Sequence, residues 1–157
     1  MLDINDYNQI LDVIPHQPPF RFVNELLYVD EHSARGTYYF GKNEYFYSGH
    51  FPENPITPSV ILTETMAQAG ALPLGIVNVA LENPEQDFSL IKPIFTNVEL
   101  KFMKPVYPET KVTVEAEKIY FRLKRMKTKV TLFDNEHEIC SSGIICSTIL
   151  TNKDIAI

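Results

Sequence analysis

The segment that most restricts the fold is residues 59–80, whose pattern predicts one long helix with almost no polar face. A helix that is apolar nearly all round must be buried on most sides. The small residues near its middle would let a sheet wrap closely around it. We expect Ser59 to cap its N-terminus, and Pro73 and Gly75 to produce a kink or an early end.

The remainder of the chain consists mostly of strand material. Residues 3–13 have a helical period and lie just before Pro15, so we predict a short helix capped by Asp3 or Asn5. Strands are predicted at residues 20–29, 33–40, 88–95, 98–103, 111–121, 126–133 and 139–151. Helices and strands segregated along the chain predict an α+β class. One apolar helix with an antiparallel sheet curled around it resembles the hotdog arrangement, here a single domain over residues 1–157. Two subunits paired edge to edge would cover the exposed edge of such a sheet.

Composition and charge exclude several classes of protein. With 157 residues, 45% of them hydrophobic and 22% charged, the chain has the profile of a soluble globular domain. We expect no membrane span and no secretory signal, because apolar runs are short and residues 1–10 contain no Lys or Arg. The net charge of -6 argues against nucleic acid as a partner. Cys140 and Cys146 are predicted to be buried free thiols, which is typical of a cytoplasmic protein.

The basic residues are concentrated in one stretch. Six of the 14 lie between residues 118 and 129, namely Lys118, Arg122, Lys124, Arg125, Lys127 and Lys129. This stretch is either the solvated face of a hairpin or a docking patch for an acidic carrier. The second interpretation gains weight only if the chemistry of the site requires such a carrier.

Residues 48–68 contain the groups that could carry chemistry. Histidine can accept a proton near neutral pH, and His50 precedes a proline-rich loop that holds its backbone. Glu64 lies on a predicted buried helix, where apolar surroundings favour a protonated carboxyl that can act as an acid. Gln68, four residues later, lies on the same face and could hold that carboxyl by a hydrogen bond. The helix N-terminus at Ser59 could stabilise a carbonyl oxygen that gains negative charge. Each residue also has a purely structural explanation as a loop histidine, an ion-paired carboxylate or a cap.

These residues match a known family. Gly49-His50-Phe51-Pro52, followed by Pro55, Pro58, Val60 and Glu64-Thr65-Met66-Ala67-Gln68, resembles the FabZ-type 3-hydroxyacyl-[acyl-carrier-protein] dehydratases of the hotdog superfamily. The resemblance extends from about residue 14 to about residue 147 and includes Ile14-Pro15-His16, Pro19-Phe20, Phe102, Lys104-Pro105-Val106 and Pro108.

The resemblance implies a homodimer with active sites at the subunit interface, and members of the family often assemble further as trimers of dimers. His50 of one subunit would remove the proton from C2, and Glu64 of the other would protonate the departing C3 hydroxyl. The backbone N–H at Ser59 would polarise the thioester carbonyl, and Phe51, Pro58, Val60 and Gln68 would contact the substrate. The product would be a trans-2-enoyl thioester on an acyl carrier protein, formed in fatty acid biosynthesis without metal or organic cofactor.

The chain departs from the family at several positions. Ser59 stands where glycine is usual, Gln17 where a basic residue is common, Asn24 where aspartate is common, and Glu109-Thr110 where Gly-Asp is usual. These departures suggest a specialised acyl or polyene pathway. Two alternatives stay open, a hotdog acyl-thioesterase and a non-catalytic acyl-binding subunit.

Overall fold

The computed structural model describes residues 1–89, 91–151 and 154, and over these residues it has the hotdog architecture predicted from the sequence. The elements are α1 (Tyr7–Asp12), β1 (Glu25–Val29), β2 (Ser33–Phe40), the central helix, β3 (Lys92–Phe102), β4 (Thr110–Arg122), β5 (Arg125–Phe133) and β6 (Ile139–Leu150). The central helix consists of α2 (Ser59–Met66), a π-helical segment (Ala67–Ala71) and α3 (Leu72–Glu82). The strands form one antiparallel sheet in the order β1-β2-β4-β5-β6-β3. The α+β class is therefore confirmed.

The sheet approaches the central helix closely because small residues lie at the contact. On β4, the alternate residues Val112, Val114 and Ala116 are buried, as strand periodicity requires. On β2, a Cβ atom added to Gly36 would lie only 2.3 Å from the backbone oxygen of Ala69. Any side chain at position 36 would therefore push the sheet away from the π-helical segment.

The central helix starts and continues differently from the prediction. Ser59 is exposed and is the first helical residue, whereas Pro58 occupies the N-cap position without a side-chain cap bond. Pro73 does not end the helix. The helix widens just before it, where the Leu72 N–H donates to the Ala67 carbonyl five residues back. Proline cannot donate to the previous turn, and π-type bonding ahead of it accommodates that loss.

The central helix is also apolar enough to raise the question of a membrane span. By length and composition, Ser59–Glu82 could cross a bilayer, but 83% of its most apolar window is buried inside the protein. Its apolar surface is therefore the surface that the curled sheet covers.

Two other predicted boundaries were wrong. Helix α1 is capped by Asp6, whose side chain accepts from the N–H groups of Asn8 and Gln9, while the side chain of Asp3 accepts from the N–H of Asn5 in the preceding turn. β1 begins at Glu25 rather than at residue 20, because residues 20–22 bond instead to a side chain of the central helix.

β3 is one continuous strand at an edge of the sheet, although two separate strands were predicted at residues 88–95 and 98–103. Pro93 lies at the second position of this edge strand, where a missing N–H is tolerated, and a bulge follows between Phe95 and Asn97. β3 carries a row of exposed apolar side chains, namely Ile94, Phe95, Val98 and Phe102. In the described part of the chain β3 pairs only with β6, so its other edge is open.

The two cysteines are free, as predicted. Cys140 is buried, and burial raises the pKa of its thiol to about 11. Cys146 is only half-buried, so the prediction that both thiols are buried was wrong for this residue.

Candidate active site

Glu64 lies in the wall of a mostly apolar cavity of about 160 Å³ between the central helix, β3 and β6. The apolar part of the wall includes Phe20, Ala71, Leu72, Phe95 and Ile145. The ionisable or amide side chains that reach it are His16, Glu64 and Gln68. A cavity with a few convergent polar groups in apolar surroundings is the usual form of a small-molecule site.

Gln68 holds the Glu64 carboxyl in place. Its side chain is fully buried, and its Nε2 donates to Oε1 of Glu64 at 2.8 Å, the bond that the four-residue spacing predicted. The same Nε2 donates to the Phe20 carbonyl at 3.0 Å, and Oε1 accepts from the Phe22 N–H at 2.6 Å. One amide therefore ties the carboxyl to the connector that precedes β1.

His16 is the second group beside the carboxyl, and the sequence analysis assigned it no role. Its Nε2 lies 3.3 Å from Oε1 of Glu64, while its Nδ1 is buried without a hydrogen-bond partner. Burial lowers the pKa of His16 below its ordinary value. The Glu64 charge opposes this change, and the Arg21 charge adds to it. The only sequence signal was its place in the Pro15-His16 segment that resembles the family.

His50 is held by its own loop and does not line this cavity in the same chain. Its Nδ1 lies 2.8 Å from the Ile56 carbonyl oxygen, and its carbonyl accepts from the Ile56 N–H at 3.0 Å. An Nδ1–H donated to that carbonyl leaves Nε2 with a free lone pair, the form needed in a base. The ring also stacks on Phe51, with centroids 4.3 Å apart.

The remaining predicted site residues lie around the start of the central helix. Phe51 and Ser59 are exposed, Pro58 is buried, and Val60 is 74% exposed although it is apolar. None of these residues lines the Glu64 cavity. A single chain therefore brings together Glu64 and Gln68 but leaves the predicted residues of the 50–60 segment apart from them.

The predicted basic patch is partly neutralised within the chain. Lys118 donates to Asn78 Oδ1 at 2.8 Å and lies 3.6 Å from Glu31, and Lys124 lies 2.7 Å from Asp154. Lys129 is 3.9 Å from Glu117. The other three residues of the basic patch form no ion pair with the described part of the chain, namely Arg122, Arg125 and Lys127.

One acidic cluster in the described residues has spacing compatible with a metal ion. It comprises Asp134, Glu136 and Glu138 at the β5–β6 turn, away from the cavity. Lys104 pairs with all three carboxylates, at 2.5 Å from Asp134. An ammonium group therefore already provides the positive charge at this cluster.

Comparison with known proteins identifies close relatives across almost the whole chain. A family model described as a FabA-like domain matches residues 14–142. The 3-hydroxyacyl-[acyl-carrier-protein] dehydratase FabZ of Nitratidesulfovibrio vulgaris is 35% identical over 155 residues, which cover 98% of this chain and 96% of that protein. The protein of the same name from Caldicellulosiruptor saccharolyticus is 32% identical over 142 residues, covering 89% of this chain and 96% of that protein.

Solved structures of distant sequence share the fold. The dehydratase heterocomplex ApeI:P of Xenorhabdus doucetiae matches with a TM-score of 0.74 at 12% identity, over 92% of this chain and 93% of that chain. A mutant thioesterase of Pseudomonas aeruginosa matches with a TM-score of 0.63 at 12% identity, over 92% and 94%. At these identities the likeness concerns the fold alone, and one fold can serve more than one reaction.

Proposed function

The chain belongs to the FabA-like family and within it to the FabZ-type 3-hydroxyacyl-[acyl-carrier-protein] dehydratases, and we propose that His50 and Glu64, contributed by two different subunits, perform the dehydration. The observation that carries this proposal is the separation of the two groups within one chain. Glu64 lines the apolar cavity, whereas His50 has a free Nε2 but lies outside that cavity. A second copy supplies the missing base.

The proposed reaction is an elimination across C2 and C3 of the acyl chain. His50 Nε2 takes the proton from C2, the C2–H electron pair forms the C2=C3 double bond, and the C3–O bond breaks. Glu64 delivers its proton to the departing hydroxyl, so the products are water and a trans-2-enoyl thioester. General acid and base groups of this kind each contribute about 10²–10⁴-fold to a rate.

The thioester carbonyl needs stabilisation while C2 loses its proton. The start of α2 supplies it, since the first N–H groups of a helix have no partner within the helix and carry partial positive charge. Ser59 is the first helical residue and is exposed, so its backbone N–H can meet a bound thioester. Phe51, Pro58 and Val60 would then contact the substrate or the partner subunit.

The open edge of β3 is the proposed dimer contact. Ile94, Phe95, Val98 and Phe102 expose apolar surface there, and pairing with a second β3 would bury it and complete the backbone hydrogen bonds. Ile94 and Phe95 also line the Glu64 cavity, so the same contact would enclose the site.

An acidic acyl carrier would dock through the three residues of the basic patch that form no ion pair within the described part of the chain. Arg122, Arg125 and Lys127 form this proposed docking surface on the β4–β5 hairpin, in a chain whose net charge is -6. A cytoplasmic location is proposed with it, supported by the two free thiols.

The function is tested by following trans-2-butenoyl thioester hydration, the reverse reaction, through the loss of enoyl absorbance. Wild type should consume the substrate, and His50→Ala and Glu64→Ala should each abolish turnover without changing the thermal unfolding curve. His32→Ala is the matched control, because this exposed histidine pairs only with Glu31. Release of free thiol would identify a thioesterase, and an inert wild type would identify a non-catalytic acyl-binding subunit. Equal, high activity on saturated chains relative to aryl or polyene chains would count against a specialised pathway.

The subunit arrangement is tested by mixing inactive chains. Differently tagged His50→Ala and Glu64→Ala chains are co-expressed, and the mixed dimer is isolated through both tags. If the residues act across the interface, each mixed dimer has one intact and one doubly defective site, and it should recover about half of the wild-type rate. No recovery in a folded mixed dimer would contradict the cross-subunit proposal.

A further inference from the structure

Two nitrogen atoms lie beside the same oxygen of Glu64. Gln68 Nε2 donates to Oε1 at 2.8 Å, and His16 Nε2 lies 3.3 Å from that oxygen. Contacts of catalytic groups are often long before substrate binds, and they shorten in the reacting complex. The described contacts leave Oε2 of the same carboxyl without a protein donor.

The surroundings of His16 favour one form of its ring. A proton on Nδ1 would be a buried donor without an acceptor, because that atom has no partner, whereas Nε2 lies 3.3 Å from a carboxyl oxygen that could accept its proton. The charged groups facing the ring are Glu64 from the central helix and Arg21 from its own connector. These surroundings favour the neutral ring with its proton on Nε2, because burial lowers the pKa of His16.

The connector that carries His16 is fixed at both ends. Arg21 donates to three backbone carbonyls, those of Leu11, Ile14 and His16, at 2.9, 3.3 and 3.2 Å. Gln68 then binds the backbone of Phe20 and Phe22. The imidazole is consequently held against the carboxyl by rigid neighbours, as a group that orients another must be.

From this geometry we propose that His16 is a positioning residue: it donates from Nε2 to Oε1 of Glu64, making Oε1 the accepting oxygen and leaving Oε2 to carry the proton delivered to the substrate. The inference rests on the proposed role of Glu64 as the acid. His16 itself forms and breaks no bond to substrate. Without it, Gln68 is the one described donor that restrains the carboxyl and marks Oε1 as the accepting oxygen, so the proton is held on Oε2 less often.

The test compares side chains that place a donor at different points of the ring. The amide of His16→Gln reaches the position of Nε2, that of His16→Asn only the position of Nδ1, and His16→Leu has no donor. Turnover number and KM are measured on butenoyl thioester. His16→Leu should lower kcat roughly 10-fold to 100-fold with KM within about 2-fold, and His16→Gln should be at least about 5-fold faster than His16→Asn. Equal rates for His16→Gln and His16→Asn would overturn the proposal.

A double-mutant cycle separates positioning from a general structural role. In a Glu64→Gln background, whose slow residual turnover is measured at high enzyme concentration, His16→Leu should change kcat by less than about 2-fold. Multiplicative effects, or a fall in kcat that merely follows the folded dimer fraction, would refute action through Glu64. His32→Leu serves as the control for losing a histidine. Failure of wild-type turnover would instead refute the proposed function, so the two failures are distinguishable.

Discussion

Replacing Gln68 by leucine should separate what this side chain does for stability from what it does for the active site. Leucine has nearly the same size and fills the same buried space. The substitution removes the donor to Glu64, the donor to the Phe20 carbonyl and the acceptor of the Phe22 N–H. Stability and turnover should therefore both fall.

The expected loss of unfolding free energy depends on how deeply each former hydrogen-bond partner of Gln68 is buried. Phe22 is fully buried, so its N–H would lose its acceptor without access to water, at a cost of about 1–3 kcal/mol. Phe20 is 45% exposed and its carbonyl can bond to water, so losing the hydrogen bond from Gln68 to this carbonyl should cost only about 0.5 kcal/mol. The bond to the Glu64 carboxyl should contribute about 0.5 kcal/mol more, so the free energy of unfolding should fall by about 2–4 kcal/mol in total.

The assay is urea unfolding at one fixed protein concentration, because the proposed dimerisation would contribute to the measured stability. Gln9→Leu is the control, since this exposed glutamine bonds only to the N-terminal turn and should change the unfolding free energy by less than about 0.5 kcal/mol. Under conditions in which the variant stays folded, Gln68→Leu should also lower kcat by about 10-fold to 100-fold. A stability loss below about 1 kcal/mol would show that the Phe22 N–H finds another acceptor, and the reasoning would be wrong.

Three further outcomes can be measured. Leu123 is 79% exposed and has a φ of 51°, in the left-handed region that asparagine adopts more readily than leucine. Leu123→Asn should therefore raise the unfolding free energy by about 0.5–1 kcal/mol, and a lower melting midpoint in calorimetry would contradict this. Val98→Lys on the open edge of β3 should disrupt the proposed dimer and yield monomers with little activity in sedimentation and kinetic assays, whereas Leu27→Lys on the opposite edge strand should leave the sedimentation of the protein unchanged. Because burial holds the pKa of His16 below its ordinary 6.5, the unfolded chain binds more protons below that pH, and stability should decline as pH falls from 7 to 5. That decline should be smaller in His16→Gln, and equal declines in urea titrations would contradict it.

The fold was accessible from the sequence because its main signals are local. The apolar helix and the alternating strands β4 and β5 have hydrophobic periods that burial alone explains. The boundaries were less predictable, since they depend on distant partners. β1 begins at Glu25 because Gln68, far along the chain, takes the hydrogen bonds of the preceding residues.

The site was predictable only where spacing fixes geometry. Glu64 and Gln68 are four residues apart on one helix, and their bond follows from the helical repeat. His16 could not be found in this way, because it lies 48 positions before Glu64 and only the folding of the connector brings the two together. Ser59 was misjudged as a cap because its residue type favours that position, whereas the buried Pro58 occupies it.

The π-helical segment has a consequence for everything that follows it. One additional residue per turn rotates α3 about its axis relative to a regular α-helix, by roughly 100°. Residues 72–80 are buried on every side, so water provides no preference for one rotation over another. Shape and polarity at single positions must select the phase instead: a Cβ atom at Gly75 would meet Ile149 at 2.9 Å, and Asn78 must reach Lys118. Deleting one residue from Ala67–Ala71 would therefore keep the core apolar. It would, however, misalign Gly75 with Ile149 and Asn78 with Lys118.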